Sequence, residues 1–492
     1  MYKFLSIAWR SPANYEFVYL FVVVLILGLG MAWVSAFNSH PDEISHVKAA
    51  DYYAQHWLPP RVGDPESRES YSLQGFSYLD EVDVVYLFAG KFGALLTATG
   101  MYDYHAYRVF NLLLFIGLIV VWLRRVDARL AFSLLLISPQ IWYVFSYFNA
   151  DAFPLFLSLL IAHQLTSADS LFNRYLNAGS ISAHFRGALL MGLLIGLLLL
   201  SKTNYYVFLL FVPFYLVLDR LGLAATATLF LAAAVIVTGT FITPLPRWVY
   251  FAVAVVLVAY AWQRWRWETN RRSIAVWAFR LLAVAALAAA IAVPRHALDL
   301  IRYGSFQAKS NARVSYAEQI TDDKFKPSRL GIPGESYYGS RLKAKGVNYI
   351  DIFLPPWNWL AVSAASSVGV YGYMSIRGPA AYYMVMLLLL AAMLYYIARN
   401  LIREGGSEAR HLLGLAGVFS VAMIFLSSYH SWVNDFQAQG RYLFPILGIL
   451  AIVVGRYSSL FHARSYGGFV VVLFLLSILS FIFTGLASIP KA

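Results

Sequence analysis

The sequence has no cysteine, which excludes disulfides, thiol catalysis and zinc sites built on thiolates. It is also poor in charge, because 13% of its 492 residues are charged where soluble domains carry about 25%. Apolar runs of about twenty residues recur along the chain instead. These features exclude an ordinary soluble domain and indicate an α-helical protein that crosses a membrane several times.

The net charge of +13 does not indicate a nucleic-acid partner. Most Lys and Arg residues stand in short segments between apolar runs, where basic residues orient a membrane protein. The sequence contains no basic strip with regularly interleaved aromatic residues. We therefore expect membrane lipid, and no nucleic acid, around this chain.

The apolar runs predict an all-α bundle of about 13 transmembrane helices that forms one integral membrane domain over residues 1–492. Lys3 and Arg10 precede the first span, at about 17–37, so the N-terminus is expected on the cytoplasmic side. Residues 38–103 then form a first outer loop with amphipathic surface helices. Residues 294–378 form a second, long outer loop that contains a candidate re-entrant segment.

This topology brings two oppositely charged segments to the same outer face. Residues 38–83 contain nine acidic and three basic residues, a net of −6. Residues 294–357 contain ten basic and six acidic residues, a net of +4. An acidic and a basic segment on one face suit a reaction with a base at one end and a phosphate leaving group at the other, and they also suit simple salt bridging between the two loops.

Asp42 and Glu43 are the first candidates for chemistry, because they follow the first span and begin a short amphipathic helix. Acids in a first helical turn can serve as helix caps. They can also serve as a general base or a metal ligand. The neighbouring histidines His40, His46 and His56 match no strong metal motif, so a polar contact or a substrate hydrogen bond is favoured over zinc. No metal ligand is predicted, although a divalent cation such as Mg²⁺ or Mn²⁺ stays open.

A second acidic group lies at the end of the same loop and consists of Asp80, Glu81 and Asp83. These residues could form another carboxylate site. The favoured interpretation is that they are the solvated start of a surface helix.

Two polar turns between spans supply further candidates. Asn149 and Asp151 lie in a tight turn, where such residues bond locally or contact a substrate. Lys202 and Asn204 follow the fifth span. A lysine between strongly apolar spans either snorkels to the surface or meets an anion, for which a lipid phosphate is the natural partner.

The segment from Gln439 to Tyr442, Gln-Gly-Arg-Tyr, stands where the chain re-enters the membrane. Its glycine allows close approach of another segment. Arg441 matches phosphate oxygens with two parallel hydrogen bonds. An interfacial anchor is the alternative role for this arginine, and the nearby polar residues favour substrate binding.

Four motifs together resemble a family of polytopic bacterial membrane proteins in the GT-C glycosyltransferase superfamily. They are Pro-Asp-Glu with the following histidine, the Asn-x-Asp turn, the lysine after the fifth span and the segment QGRYLFP. The aromatic and glycine-containing stretch from Val368 to Tyr373 is also similar to that family.

The resemblance implies an enzyme that takes a sugar from a polyprenyl-phosphate carrier and gives it to a glycan or lipid acceptor. The reaction would occur at the outer, periplasmic face of the bacterial inner membrane. The resemblance implies that the catalytic acid of the first outer loop is Asp42 or Glu43. The residues expected to bind substrate are His46, Asn149, Asp151, Lys202, Asn204, Gln439, Arg441 and Tyr442. Members differ in their need for a divalent cation. The sequence predicts no separate soluble C-terminal domain, which is a departure from the better-known members.

Two other functions stay open at this point. A glycan ligase or polymerase would place essential residues in the long basic loop, where Arg302, Arg313 and His296 are available. A transporter or flippase would need polar residues deep in several spans. Few are present, and Asn111, Gln140 and His163 are scattered among different spans.

Overall fold

The computed structural model describes residues 11–101, 103–180, 183–241, 247–268, 271–329 and 341–492. These residues fold almost entirely into helices and turns. The strands β1 (Val370–Tyr371) and β2 (Ile376–Arg377) pair antiparallel. The helices are α1 (Val18–Val34), α2 (Glu43–Gln55), α3 (Val85–Thr97), α4 (Asp103–Arg124), α5 (Arg129–Phe132), α6 (Pro139–Ser146), α7 (Ala152–Thr166), α8 (Leu171–Leu176), α9 (Arg186–Leu199), α10 (Tyr206–Phe241), α11 (Arg247–Glu268), α12 (Arg271–Tyr303), α13 (Phe306–Ile320), α14 (Trp359–Ser367), α15 (Ala380–Glu404), α16 (Gly406–Val433), α17 (Pro445–Arg456) and α18 (Ala463–Ser480).

Seven helical segments of the described chain are long and apolar enough to cross a membrane. An eighth is formed if 126–136 and α6 count as one span, although they meet at a bend of 91°. The all-α, polytopic class is therefore confirmed. Fewer long helices than the predicted number of about 13 spans appear because several apolar runs fold into short helices. For example, α7 has 15 residues and is only about 22 Å long.

The predicted orientation of the first span rests on Lys3 and Arg10, which lie outside the described residues. The span itself is confirmed as the apolar segment Tyr15–Val34. Two helices, α2 and α3, form within the residues of the predicted first outer loop. They pack so closely that a Cβ on Gly90 would overlap the backbone of α2.

The predicted start of the long outer loop, residue 294, lies within a helix. Helix α12 continues through Pro294 to Tyr303, because a proline removes only one backbone donor and the following turn has its own stabilising contacts. Within that turn, Arg295 pairs with Asp299 at 2.6 Å. The candidate re-entrant segment contains the short helix α14 followed by the β1–β2 hairpin.

Close helix packing holds this framework together. On α9, Gly192 and Gly196 face α12, and a Cβ on them would come within 2.6 Å of Leu287 Cβ and 2.8 Å of Ile291 Cβ respectively. Small residues four positions apart let two membrane helices approach backbone to backbone. Both helices border the polar region described next, since Lys202 follows α9 and the end of α12 contacts the first outer loop.

Candidate active site

The polar centre of the molecule lies where four segments distant in sequence meet. The Asp151 carboxylate lies 2.9 Å from Lys202 Nζ and 3.6 Å from Arg441 Nε. Arg441 Nη2 lies 3.7 Å from the carboxylate of Asp42. The structure thus brings together four residues that the sequence analysis singled out. We call Lys202, Arg441, Asp151 and Asp42 the charged cluster.

The turn before α7 holds Asp151 in place through Asn149. The Asn149 amide oxygen accepts hydrogen bonds from the backbone N–H groups of Asp151 at 2.8 Å and Ala152 at 3.2 Å. Its amide nitrogen donates to the carbonyls of Val144 and Tyr147. The buried side chain of Asn149 thus bonds locally and fixes the backbone at Asp151, and its predicted contact with substrate stays a prediction.

Arg441 is held by a turn that only glycine permits. A Cβ on Gly440 would overlap the backbone of Ser367, and the Gly440 N–H donates to Ser366 Oγ at 2.6 Å. Arg441 is therefore pressed into the protein, where its side chain is 4% exposed. Its Nη1 donates to the hydroxyl of Tyr147 at 3.0 Å. The expected close approach at this glycine is confirmed.

Tyr442 lies between the two cations of the charged cluster. Its ring centre is 5.5 Å from Lys202 Nζ and 5.4 Å from the Arg441 guanidinium. Its carbonyl accepts a hydrogen bond from Asn204 Nδ2 at 3.2 Å, which ties the start of α10 to the start of α17. Gln439 lines a small pocket beside Arg441 together with Tyr143.

The adjacent acids Asp42 and Glu43 have very different environments. Glu43 is completely buried, and its two oxygens accept hydrogen bonds from Arg108 Nε at 2.7 Å and Nη2 at 2.8 Å. Burial raises the pKa of Glu43, and the hydrogen bonds and positive charge of Arg108 act against that rise. Arg108 also donates to the carbonyls of Ala32 and Ser35. Glu43 thus ties the start of α2 to α4.

Arg108 was missed in the sequence. It is a charged residue near the start of an apolar span, and such a residue calls for a buried partner. Its partner Glu43 lies 65 positions earlier in the chain. The sequence therefore indicates that Arg108 needs a partner but does not identify it.

Asp42 is half-exposed, with 50% of its side-chain surface accessible. It occupies the N-cap position of α2 in the left-handed region, at φ 58° and ψ 13°, and its side chain makes no capping hydrogen bond. The Ile44 N–H is instead bound by Asn38 Oδ1 at 3.2 Å. The capping alternative therefore does not describe Asp42, whose carboxylate faces Arg441.

The three histidines of the first outer loop have separate partners. His40 bonds Ser35 Oγ and the Tyr143 hydroxyl, each at 2.8 Å, and His56 lies 3.4 Å from Glu66. His46 is buried, bonds the Tyr86 hydroxyl at 2.7 Å and stacks on Tyr78. Burial lowers the pKa of His46, and the charges of Lys202 and Arg441 lower it further. Both effects favour the neutral form of His46 beside the charged cluster.

The charged cluster is a poor fit for a divalent cation. Mg²⁺ and Mn²⁺ prefer several oxygen ligands with negative charge. Here Asp42 and Asp151 each face a lysine or arginine, whose positive charge would repel the metal. Within the described ranges, no three His, Asp or Glu side chains gather in a metal-binding group.

The interpretation of Asp80, Glu81 and Asp83 as a solvated helix start is wrong. Asp80 and Asp83 are buried, and Glu81 pairs with Arg313 at 2.6 Å. Burial raises the pKa of Asp83 to about 7, although the charge of Lys202 opposes this rise. Sequence alone does not reveal this burial, because it comes from packing of the loop under α12 and α13.

The raised pKa of Asp83 predicts a stability that depends on pH. The folded state holds the Asp83 proton up to pH of about 7, while the unfolded chain releases it near pH 3.8. The free energy of unfolding should therefore fall as the pH rises from about 4 to about 7. We expect Asp83→Asn to be more stable than the wild type at pH 8, by at most on the order of 4 kcal/mol, and to lose most of this advantage towards pH 4. Thermal unfolding in detergent at both pH values measures this, and an equal advantage at both would contradict it.

The acidic and basic outer segments contact each other, as their charges indicated. Arg302 donates to the carbonyls of Pro59 at 2.6 Å and Pro60 at 3.2 Å, and Arg313 binds Glu81. The His296 ring packs against Phe306. Two of the residues that a ligase would use, Arg302 and Arg313, therefore contact the acidic segment.

No family model and no curated protein matches the chain. Among solved structures, the chain is similar to the crystal structure of ArnT from Cupriavidus metallidurans bound to undecaprenyl phosphate, with a TM-score of 0.45 and 15% sequence identity. The alignment covers 92% of this chain and 61% of that chain. This chain thus spans less than two-thirds of the length of ArnT.

Proposed function

We propose that this protein is a GT-C type membrane glycosyltransferase. It moves a sugar from a polyprenyl-phosphate carrier to a glycan or lipid acceptor on the outer face of the bacterial inner membrane. The strongest support is the position of Asp42, whose half-exposed carboxylate lies 3.7 Å from Arg441. Arg441 is buried, and both Arg441 and Lys202 contact the carboxylate of Asp151. Base and phosphate-binding groups thus lie side by side at the ends of apolar helices.

Arg441 and Lys202 hold the donor phosphate in this proposal. Guanidinium and ammonium groups are the side chains that bind phosphate oxygens, and a water-poor site strengthens their attraction. Both cations are largely buried, with side-chain exposures of 4% and 14%. The polyprenyl chain would lie along the apolar helices, outside the charged cluster.

Asp42 is the general base. Its carboxylate takes the proton of an acceptor hydroxyl while that oxygen bonds to the anomeric carbon of the sugar. The bond from this carbon to the phosphate oxygen breaks, and its electron pair leaves with the phosphate. The products are the glycosylated acceptor, with inverted configuration, and polyprenyl phosphate, whose additional negative charge faces Arg441 and Lys202.

Removing either cation should impair this reaction strongly. We expect Arg441→Ala and Lys202→Ala each to lower sugar transfer about 10²–10³-fold, because each removes a charge that stabilises the departing phosphate. Transfer is measured as labelled sugar moved from a polyprenyl-phosphate donor by purified protein. Arg456→Ala is the matched control, since Arg456 pairs with Asp219 at 2.8 Å outside the charged cluster. Equal activity of Arg441→Ala and the control would contradict the proposal.

The polar residues in the spans give little support to the alternative function of a transporter or flippase. Asn111 donates to the carbonyl of Tyr147 at 2.7 Å, and Gln140 accepts a hydrogen bond from the Val370 N–H at 3.1 Å. Both residues therefore bind the backbone around the charged cluster. A transporter would bind the same lipid without breaking the sugar–phosphate bond, so product analysis separates the two functions.

A further inference from the structure

The carboxylate of Asp151 contacts both of the cations that the proposed function assigns to the donor phosphate. It is completely buried and lies 2.9 Å from Lys202 Nζ and 3.6 Å from Arg441 Nε. Neither oxygen of Asp151 has an aligned hydrogen-bond donor among the described residues, so these are ion pairs without hydrogen-bond geometry. Asp151 neutralises the cations without filling their hydrogen-bonding capacity.

Other polar atoms around Asp151 are similarly unsatisfied. In the described part of the chain, Arg441 Nε, Asn204 Oδ1, the Tyr205 hydroxyl and His46 Nε2 are buried and have no hydrogen-bond partner. Buried polar atoms are nearly always hydrogen-bonded in folded proteins. Several unsatisfied atoms beside one ion cluster indicate a site that receives a polar ligand.

We propose that Asp151 is a built-in counter-ion of the phosphate site, and this inference rests on the function proposed above. When no phosphate is bound, Asp151 neutralises part of the charge of Lys202 and Arg441. When phosphate is bound, the negative charge of Asp151 repels the phosphate and limits the affinity of the site for it. Asp151 is thus a specificity-determining residue whose charge acts on the bound phosphate.

This repulsion acts differently on the donor and the product. The donor phosphodiester carries one negative charge, whereas a phosphate monoester carries between about 1.5 and 2 at neutral pH. A nearby carboxylate therefore weakens binding of the product polyprenyl phosphate more than binding of the donor. Asp151 favours departure of the product after the sugar has been transferred.

The test compares Asp151→Asn, which has the same shape without the charge, with the wild type. We expect polyprenyl phosphate in detergent micelles to bind Asp151→Asn about tenfold more tightly or better, because one like charge a few ångströms away is removed. A phosphodiester-linked donor should gain less. Turnover should fall while product inhibition grows stronger. Asp151→Glu keeps the charge and should bind both lipids nearly as the wild type does.

Asp219→Asn is the control, because Asp219 pairs with Arg456 at 2.8 Å outside the charged cluster. It should leave both affinities unchanged. If Asp151→Asn does not fold, Asp151→Ser removes the same charge and serves in its place. If the role of Asp151 were purely structural, Asp151→Asn and Asp151→Ser would each bind the donor and polyprenyl phosphate more weakly, and to the same extent.

The outcomes separate this inference from the proposed function. If Arg441→Ala weakens binding of polyprenyl phosphate but Asp151→Asn does not tighten it, the phosphate site stands and the counter-ion role is wrong. If neither Arg441→Ala nor Lys202→Ala changes binding, the phosphate site is wrong and the counter-ion role fails with it.

Discussion

Asp42→Asn should lower sugar transfer by about 10²–10⁴-fold, which is the usual contribution of a positioned general base. The amide has the shape of the carboxylate but cannot accept the acceptor proton. Because the Asp42 side chain is half-exposed and makes no capping hydrogen bond, its loss should leave folding nearly unchanged. The measurement is the initial rate of transfer, together with thermal unfolding of the same sample.

The same loop supplies a matched control for this variant. Glu69 is an 80% exposed acid that pairs with Lys48 at 2.9 Å on the same outer loop. Glu69→Gln should retain full activity. Unimpaired transfer in Asp42→Asn, alone and combined with Glu43→Gln, would end the assignment of a base to this pair of acids.

The buried ion pair of Glu43 and Arg108 should contribute strongly to the stability of the protein. Arg108→Met should lower the free energy of unfolding by about 3–5 kcal/mol, because it leaves the buried Glu43 carboxylate without its cation. Glu43→Gln should also destabilise the protein, since it leaves Arg108 buried and unpaired. Thermal or denaturant unfolding in detergent measures both variants.

Combining changes distinguishes a structural pair from a catalytic acid. Replacing both residues by apolar side chains, as in Glu43→Leu with Arg108→Met, should recover part of the lost stability, because no uncompensated charge stays buried. A Glu43→Gln protein as stable as the wild type but unable to transfer sugar would contradict this account. That result would indicate that Glu43, and not Asp42, is the general base.

Much of the charged cluster could be predicted from sequence because its members stand at the ends of apolar runs. Asp42, Asp151, Lys202 and Arg441 are charged residues beside apolar helices, where a charge without a role is unfavourable. The predicted alternation of span directions places such ends on one face. The sequence could therefore predict which residues meet, although not the distances between them.

The different environments of Asp42 and Glu43 could not be predicted from the sequence. Both acids follow Pro41, and a one-residue difference in position sends one side chain inward and the other to the surface. Glu43 points inward because it binds Arg108. Arg108 lies in α4, so nothing in the sequence around Glu43 indicates this partner. Asn149 was similarly ambiguous, since a turn residue and a substrate ligand have the same sequence pattern.

The number of spans was harder to predict than their existence. Hydrophobicity identifies apolar runs but does not show where a helix bends or ends. The break at Gly222 in α10, with φ 79° and ψ −172°, separates two runs as expected. In contrast, α12 passes the proline at which the sequence predicted its end, because contacts beyond the proline stabilise the following turns.

The central claim is transfer of a sugar from a polyprenyl-phosphate donor by this protein alone. The most direct measurement incubates the purified protein with a labelled donor and a candidate acceptor, with and without EDTA, beside Asp42→Asn and Arg441→Ala. We predict release of polyprenyl phosphate by the wild type, unaffected by EDTA, and its loss in both variants. Tight binding of the lipid without bond cleavage, unchanged in both variants, would contradict the glycosyltransferase and favour a flippase.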